Sequence, residues 1–301
     1  MAANRDDWDL VLRNYAVRAR PEEISPNVCL CHTDTSIVIH DRYPKSIYHF
    51  LVLPRPIPGF IDVDELTDLR TLFKCGREKA KKVLDGLAEE AAKLKKEMEE
   101  NMLQHNKFKW DIWIGFHPVP SLKHLHLHVM SADLCSDAMK IKKHYNSFHP
   151  QRGFFLHLHE VLSWFEAEPS FYARKIQLKP STYEPLLKHD LECFHCNEEF
   201  KTMPKLKEHL QEEWDTIAAR ERPIWARKKA ARKRAEEKKQ AAEKARAHGA
   251  DEGHGNDKGE GASKKRASQS DDDAEPNTKR ARTSESLPED EAGGSATEPE
   301  T

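Results

Sequence analysis

Between Lys123 and Ser131 the chain reads KHLHLHVMS, with His124, His126 and His128 alternating with Leu125, Leu127 and Val129. Side chains of an extended strand point to opposite faces with period two, which predicts three imidazoles on one face and aliphatic groups on the other. A single histidine in an apolar run is ordinarily a satisfied core residue. Three in register must share protons or contact a ligand that satisfies them. Two chemistries are open: neutral nitrogens holding a metal, or one imidazole attacking phosphorus while its neighbours hydrogen-bond the phosphate oxygens. The preceding loop HPVPS, His117 to Ser121, sets a fourth histidine and a serine beside the three. His157 and His159 also alternate with leucines in FFLHLHEVLSWF, but that run mixes helical and strand periods, so we assign it no chemistry.

A second constellation follows. Cys193 and Cys196 form a CxxC; after twelve residues comes His209, and after three more Glu213. This is the spacing of a ββα zinc finger, with Phe200 and Leu206 placed for its small core. The fourth ligand departs from the Cys2His2 pattern. We expect zinc on Cys193, Cys196, His209 and Glu213, the last preferred to Glu212 because it lies one helical turn beyond His209.

Elements must position these groups. Trp8, Val11, Leu12 and Tyr15 recur at helical spacing, predicting a short N-terminal helix capped by Asp6 or Asp7 and running to about Arg18. TSIVIH (residues 35–40) and IYHFLVL (residues 47–53) predict strands joined by DRYPK, a turn whose Asp, Lys and Pro suit ligand contact or a plain charged hairpin. Residues 63–105 show helical periodicity that Gly86 could split, and KFKWDIWIGF (residues 107–116) predicts a strand.

The formal net charge of −2 conceals a polarity: residues 220–246 carry twelve Lys/Arg against four Glu, whereas residues 251–301 carry seven Lys/Arg against fourteen Asp/Glu. The basic segment has helix propensity and, appended to a finger, suggests phosphate-backbone contact. The acidic tail lacks the apolar content to order itself. Its KKR (residues 264–266) and KRAR (residues 279–282) resemble short nuclear-import signals. No apolar run reaches the roughly 18 residues of a membrane span, and the N-terminus has no signal-peptide core. The six cysteines do not form a secreted disulfide framework. We therefore expect a soluble, intracellular protein with no membrane contact.

The order DRYPK, strand, GFHPVPS, HLHLHVMS, KKHYNSF and finger closely resembles the aprataxin family of the histidine triad superfamily, from about Trp8 to about Trp214. The resemblance implies an α+β histidine-triad fold, with a central antiparallel sheet and flanking helices, fused to a C2HE-type ββα zinc finger. Residues 1–178 would form the catalytic domain, 179–222 the DNA-binding finger, 223–249 a basic helical extension and 250–301 a disordered acidic tail. It implies a nuclear DNA-repair enzyme, acting as a monomer on nicks and ends, that removes 5′-adenylate left by abortive ligation, with 3′ guanylate caps as a further candidate substrate. His126 would be the nucleophile forming a histidine-AMP intermediate, His124 and His128 would position it and hold phosphate oxygens, and His117 would assist departure of the DNA 5′-phosphate. Ser121 would bind phosphate, Asp41 the ribose, and Lys45 and His49 the nucleotide and DNA phosphates. Trp8 would stack on a base pair at a DNA end, and Lys142, Lys143, His144 and Ser147 would contact the backbone. One structural zinc and no catalytic metal are implied. The resemblance does not extend to the phosphopeptide-binding domain of animal relatives, so recruitment through phosphorylated scaffolds is not expected. Competing readings are a general nucleoside phosphoramidate or dinucleotide hydrolase, a non-enzymatic DNA-end adaptor, and a tri-histidine metal enzyme.

Overall fold

The computed structural model describes residues 5–251, with side chains for residues 8–244. Both import-like patterns and nearly all of the acidic tail lie outside the described residues. Residues Met1–Glu243 form one contact unit.

The N-terminal stretch opens as a 3-10 turn, Arg5–Leu10, and becomes α-helical only at α1, Val11–Ala16, whose N-cap position is Leu10, so the α-helix starts later than the expected cap at Asp6 or Asp7. Three antiparallel strands follow: β1 (Cys29–His32), β2 (Ser36–His40) and β3 (His49–Pro54). The long periodic stretch divides at Gly76, not Gly86. Helix α2 (Leu69–Lys74) is capped by the Asp68 carboxylate accepting from Thr71 N; then Gly76, at φ 100°, starts α3 (Arg77–His105), which runs unbroken through Gly86.

Strands β4 (Ile112–Phe116) and β5 (Leu127–Ser131) pair antiparallel, and β6 (Leu156–His157) adds to β4, giving a six-stranded sheet in the order β1-β2-β3-β5-β4-β6. Gly115 lies opposite both His128 and His157, and a Cβ there would meet the Leu156 carbonyl oxygen at 2.5 Å, so this crossing requires glycine. Between these strands lies α4 (Lys142–Phe148), so the basic KKHYNS segment is helical. Helices α5 (Leu158–Ser163), α6 (Pro169–Lys175) and α7 (Pro180–Tyr183) lead to the hairpin β7 (Leu191–Glu192) and β8 (Glu199–Phe200) and to α8 (Met203–Asp251). The mixed period of FFLHLHEVLSWF is real, a strand that turns directly into a helix.

One sheet face packs Val38, Val52, Leu127 and Val129 against the α3 stripe Ala80, Leu84, Leu87, Ala91, Leu94 and Met98. The other face carries two clusters. In the first, Ile37, Ile39, Leu51 and Leu53 meet Leu12 and Ala16 of α1. The second joins Met130, Tyr145, Phe148 and Phe155 to Leu191, Cys193, Met203, Leu206 and Leu210, so the sheet and the C-terminal hairpin and helix share one apolar core.

Candidate active site and zinc finger

The expectation of three imidazoles along one strand face needs correction. Strand β5 begins at Leu127, and His124 sits at φ 130°, a conformation that turns the chain before the strand starts. His124 Nε2 donates to the Pro54 carbonyl at 2.8 Å. Its own carbonyl accepts from His126 Nδ1 at 2.7 Å. His124 thus serves the site through its backbone oxygen, and the imidazoles that gather are those of His126, His128, His117 and His49.

Ring contacts define the cluster. His128 lies 4.9 Å from His126, 4.5 Å from His117 and 5.2 Å from His49 between centroids. Phe148, at the end of α4, touches His49, His117 and His128 at 5.4, 4.6 and 5.1 Å. No sequence signal marks Phe148, because an aromatic at a helix end reads as ordinary packing.

Hydrogen bonds assign the protons. A carbonyl only accepts, so His126 carries its proton on Nδ1 and presents a bare lone pair at Nε2. His49 Nδ1 accepts from the Lys45 amide at 3.1 Å, which puts its proton on Nε2, 2.9 Å from His128 Nδ1 and 3.7 Å from the Asp41 carboxylate. His128 therefore holds its proton on Nε2, a buried atom with no partner in the protein. His117 Nε2 donates to the Ser147 carbonyl at 3.0 Å, leaving Nδ1 as acceptor. The result is a bare nitrogen on His126 and another on His117, with the unsatisfied N–H of His128 in the same cluster.

Burial dominates the protonation of these rings. Desolvation pushes His49 and His124 down to about 4 and His117 down to about 3. It also lowers His126 and takes His128 well below the ordinary histidine value. Nearby imidazoles and the Lys45 ammonium add to the lowering at His117 and His128, while Asp41 opposes it at His49 and His126. All five are neutral at pH 7, the state in which an imidazole attacks.

The remaining residues lie around this cluster. Lys45, its own pKa lowered by burial, directs its ammonium to the Tyr43 carbonyl. The turn holding Lys45 is fixed by Asp133, a buried carboxylate unmarked in the sequence, which accepts from Ile47 N at 2.9 Å and from the Trp110 indole at 3.1 Å. Ser121 is exposed beside a cleft of about 210 Å³ that Asp9, Asp68, Arg70 and Lys123 also line. Trp8 is 61% exposed in the first turn of the chain. Lys142, half-buried, pairs with Asp190 at 2.8 Å, His144 Nδ1 accepts from Lys140 N, and the Ser147 hydroxyl bonds back to the His144 carbonyl, so of these three only the lysine offers a charge to solvent; Lys143 is exposed.

In the finger, Cys193, Cys196 and His209 present ligand atoms within 4.8 Å of one another. Cys196 Sγ and His209 Nε2 are 3.2 Å apart, close to the about 3.5 Å that tetrahedral angles impose on sulfur and nitrogen bound to zinc. Glu213 Oε1 lies 3.6 Å from the same nitrogen and can close the set. The donors fit zinc, with hairpin and helix supplying them in the predicted order.

A family model described as C2HE / C2H2 / C2HC zinc-binding finger matches residues 151–216, and one described as scavenger mRNA decapping enzyme C-term binding matches residues 11–144. The aprataxin-like protein of Schizosaccharomyces pombe is 30% identical over 207 residues, covering 67% of this chain and 81% of that protein. The chain belongs to the aprataxin family. Aprataxin of Danio rerio is 33% identical over 186 residues, 62% of this chain and 49% of its own length, so the chain spans about half the length of this vertebrate aprataxin. A solved structure of Hnt3 in complex with DNA and guanosine is 26% identical, with a TM-score of 0.50, covering 72% of this chain and 96% of that one. The family membership agrees with the α+β fold and with a zinc-binding finger attached to it.

Proposed function

We propose that the chain is a DNA-repair hydrolase that removes AMP from 5′-adenylated DNA through a covalent histidine intermediate. The observation that carries this reading is the proton arrangement at His126 and His128: a lone pair held on His126 Nε2 by the His124 carbonyl, beside the unpartnered N–H of His128. In the first step His126 Nε2 attacks the adenylate phosphorus, and the bond to the DNA 5′-phosphate oxygen breaks. In the second, water attacks the same phosphorus, the N–P bond breaks, and AMP leaves with His126 restored. Two displacements replace one harder one.

His128 would donate to a phosphate oxygen, with the His49 N–H on its Nδ1 strengthening that donation as negative charge develops. His117 borders the cluster where the leaving phosphate would sit. Asp41, Lys45, Ser121 and Trp8 would grip ribose, phosphates and the exposed base pair, and Lys142, Lys143, His144 and Ser147 would follow the backbone. Zinc on Cys193, Cys196, His209 and Glu213 would hold the finger against DNA. A nuclear, DNA-bound protein that acts as a monomer is the consistent setting. The presence of guanosine beside DNA in the Hnt3 complex supports 3′ guanylate as a second substrate.

The donor atoms of Asp41, His49 and His128 also lie within 4.8 Å. We assign them to hydrogen bonding, since the His49 and His128 nitrogens already face each other at 2.9 Å. The test is incubation with brief EDTA treatment on 5′-adenylated nicked DNA and, in parallel, on diadenosine polyphosphate. Faster AMP release from the nick is expected. Turnover of the dinucleotide alone would favour a general nucleotide hydrolase, binding without turnover an adaptor, and immediate loss on chelation a metal enzyme.

A further inference from the structure

Helix α4 faces two ways within a single turn. Ser147 and Phe148 serve the imidazole cluster, the first through the carbonyl that accepts the His117 proton at 3.0 Å, the second by ring contact with His49, His117 and His128. Tyr145 and Asn146, immediately before them, hold the chain that enters the finger. The Tyr145 hydroxyl donates to the Glu192 carbonyl at 2.7 Å and accepts from Phe194 N at 3.2 Å. Asn146 is wholly buried, and its amide donates to the carbonyls of His189 at 2.7 Å and Leu187 at 3.2 Å. Its oxygen accepts from Arg152, which also bonds the Asp190 carbonyl. Every polar atom of the Asn146 side chain is thus spent on the finger's approach. None touches the imidazoles.

We infer that Asn146 is a positioning residue for His117: it fixes α4 to the 3-10 turn Glu184–Lys188 and the residue after it, the chain that leads into the finger, and so sets where the Ser147 carbonyl stands and which nitrogen of His117 carries the proton. A seven-residue helix has too few internal hydrogen bonds to keep its end in place unaided. Its register comes from what its flanks are bonded to. When the carbonyls of Leu187 and His189 lose the Asn146 amide, the helix can turn or slide, the Ser147 oxygen leaves His117 Nε2, and the ring is free to place its proton on Nδ1, the nitrogen that is bare in the intact arrangement. The finger is then part of the frame of the active site as well as a surface for DNA. This role rests on the proposed hydrolase reading, but its primary readout does not need a substrate.

That readout is the nitrogen-15 spectrum of the His117 ring in the full-length, zinc-loaded protein, which reports which nitrogen is protonated. In the unaltered protein Nε2 should carry the proton alone. In Asn146→Ala the spectrum should shift toward a mixture of the two forms, and kcat on a small adenylate should fall by about tenfold with KM little changed, less than the loss on removing a proton-transfer group outright. Tyr145→Phe keeps the ring, removes only the hydroxyl, and should give a smaller shift in the same direction; it also serves if the alanine variant does not fold. A His117 spectrum unchanged in the folded variants would overturn the inference, as would an equal fall of kcat in a variant whose His117 tautomer is intact. A tautomer shift in a protein that hydrolyses no adenylate would leave the inference standing and refute the hydrolase reading.

Discussion

His126 has its proton on Nδ1 because the His124 carbonyl, 2.7 Å from that nitrogen, can only accept. The same neutral cluster has a thermodynamic consequence. His49, His117 and His124 titrate in the folded protein at about 4, 3 and 4, below the 6.5 of an unperturbed histidine, and His126 and His128 are lowered too. Below pH 6.5 the unfolded chain binds protons before the folded one does. Stability should therefore be full above pH 6.5 and fall steadily as pH drops from 6.5 toward 4. Urea denaturation at pH 7.5 and 5 checks this, and equal midpoints would contradict it. At the sheet crossing, Gly115→Ala forces a Cβ to within 2.5 Å of the Leu156 carbonyl, backbone that cannot swing aside. A loss of roughly 1–3 kcal/mol is expected from the same denaturation curves.

Among elements, the finger's hairpin is a single two-residue strand pair, so a metal on Cys193, Cys196 and His209 should add to its stability. Metal analysis should find about one zinc per chain. Slow chelation should lower the thermal midpoint, reversed by adding zinc back; a midpoint indifferent to chelation would count against the site. The finger was legible in the sequence because its donors are close along the chain; of the three alternating histidines, His126 and His128 join the cluster as expected while His124 turns to Pro54 before the strand begins. What the sequence did not show depends on pairings across the fold. The His49 tautomer is set by the Lys45 amide and the His128 ring, His124 turns away because of Pro54, and Asn146 matters only because Leu187 and His189 come to it. Periodicity placed β2, β3 and α3 well and put the helix break at the wrong glycine, since Gly86 fits inside a helix while only Gly76 adopts a positive φ. The basic KKHYNS segment became a helix anchored on both sides.

At the scale of the molecule, α8 begins in the finger, where it carries His209 and Glu213, and runs on past Trp214 and Arg222. Trp214 packs on Phe108 and Trp110, and Arg222 stacks over Phe108 and Trp214 while donating to the Asn106 carbonyl. Past Pro223 the described side chains are mostly exposed and rich in Lys and Arg. Removing residues 227–301 takes away a run rich in Lys and Arg that carries none of the imidazoles, so it should weaken binding to nicked DNA and flatten its dependence on salt, with kcat on a small adenylate unchanged. A salt slope identical to the intact chain's would show that the extension does not contact DNA. The central claim is that His126 takes the adenylyl group. The most direct measurement is to mix the protein with 5′-adenylated nicked DNA, quench within the first turnover under alkaline conditions that preserve a phosphorus–nitrogen bond, and map the adduct by mass spectrometry. An adenylyl group on His126, absent from a His126→Ala protein whose AMP release has fallen by more than about 1,000-fold, is the predicted result. AMP release with no adduct, or an adduct on another residue while His126→Ala remains active, would contradict it.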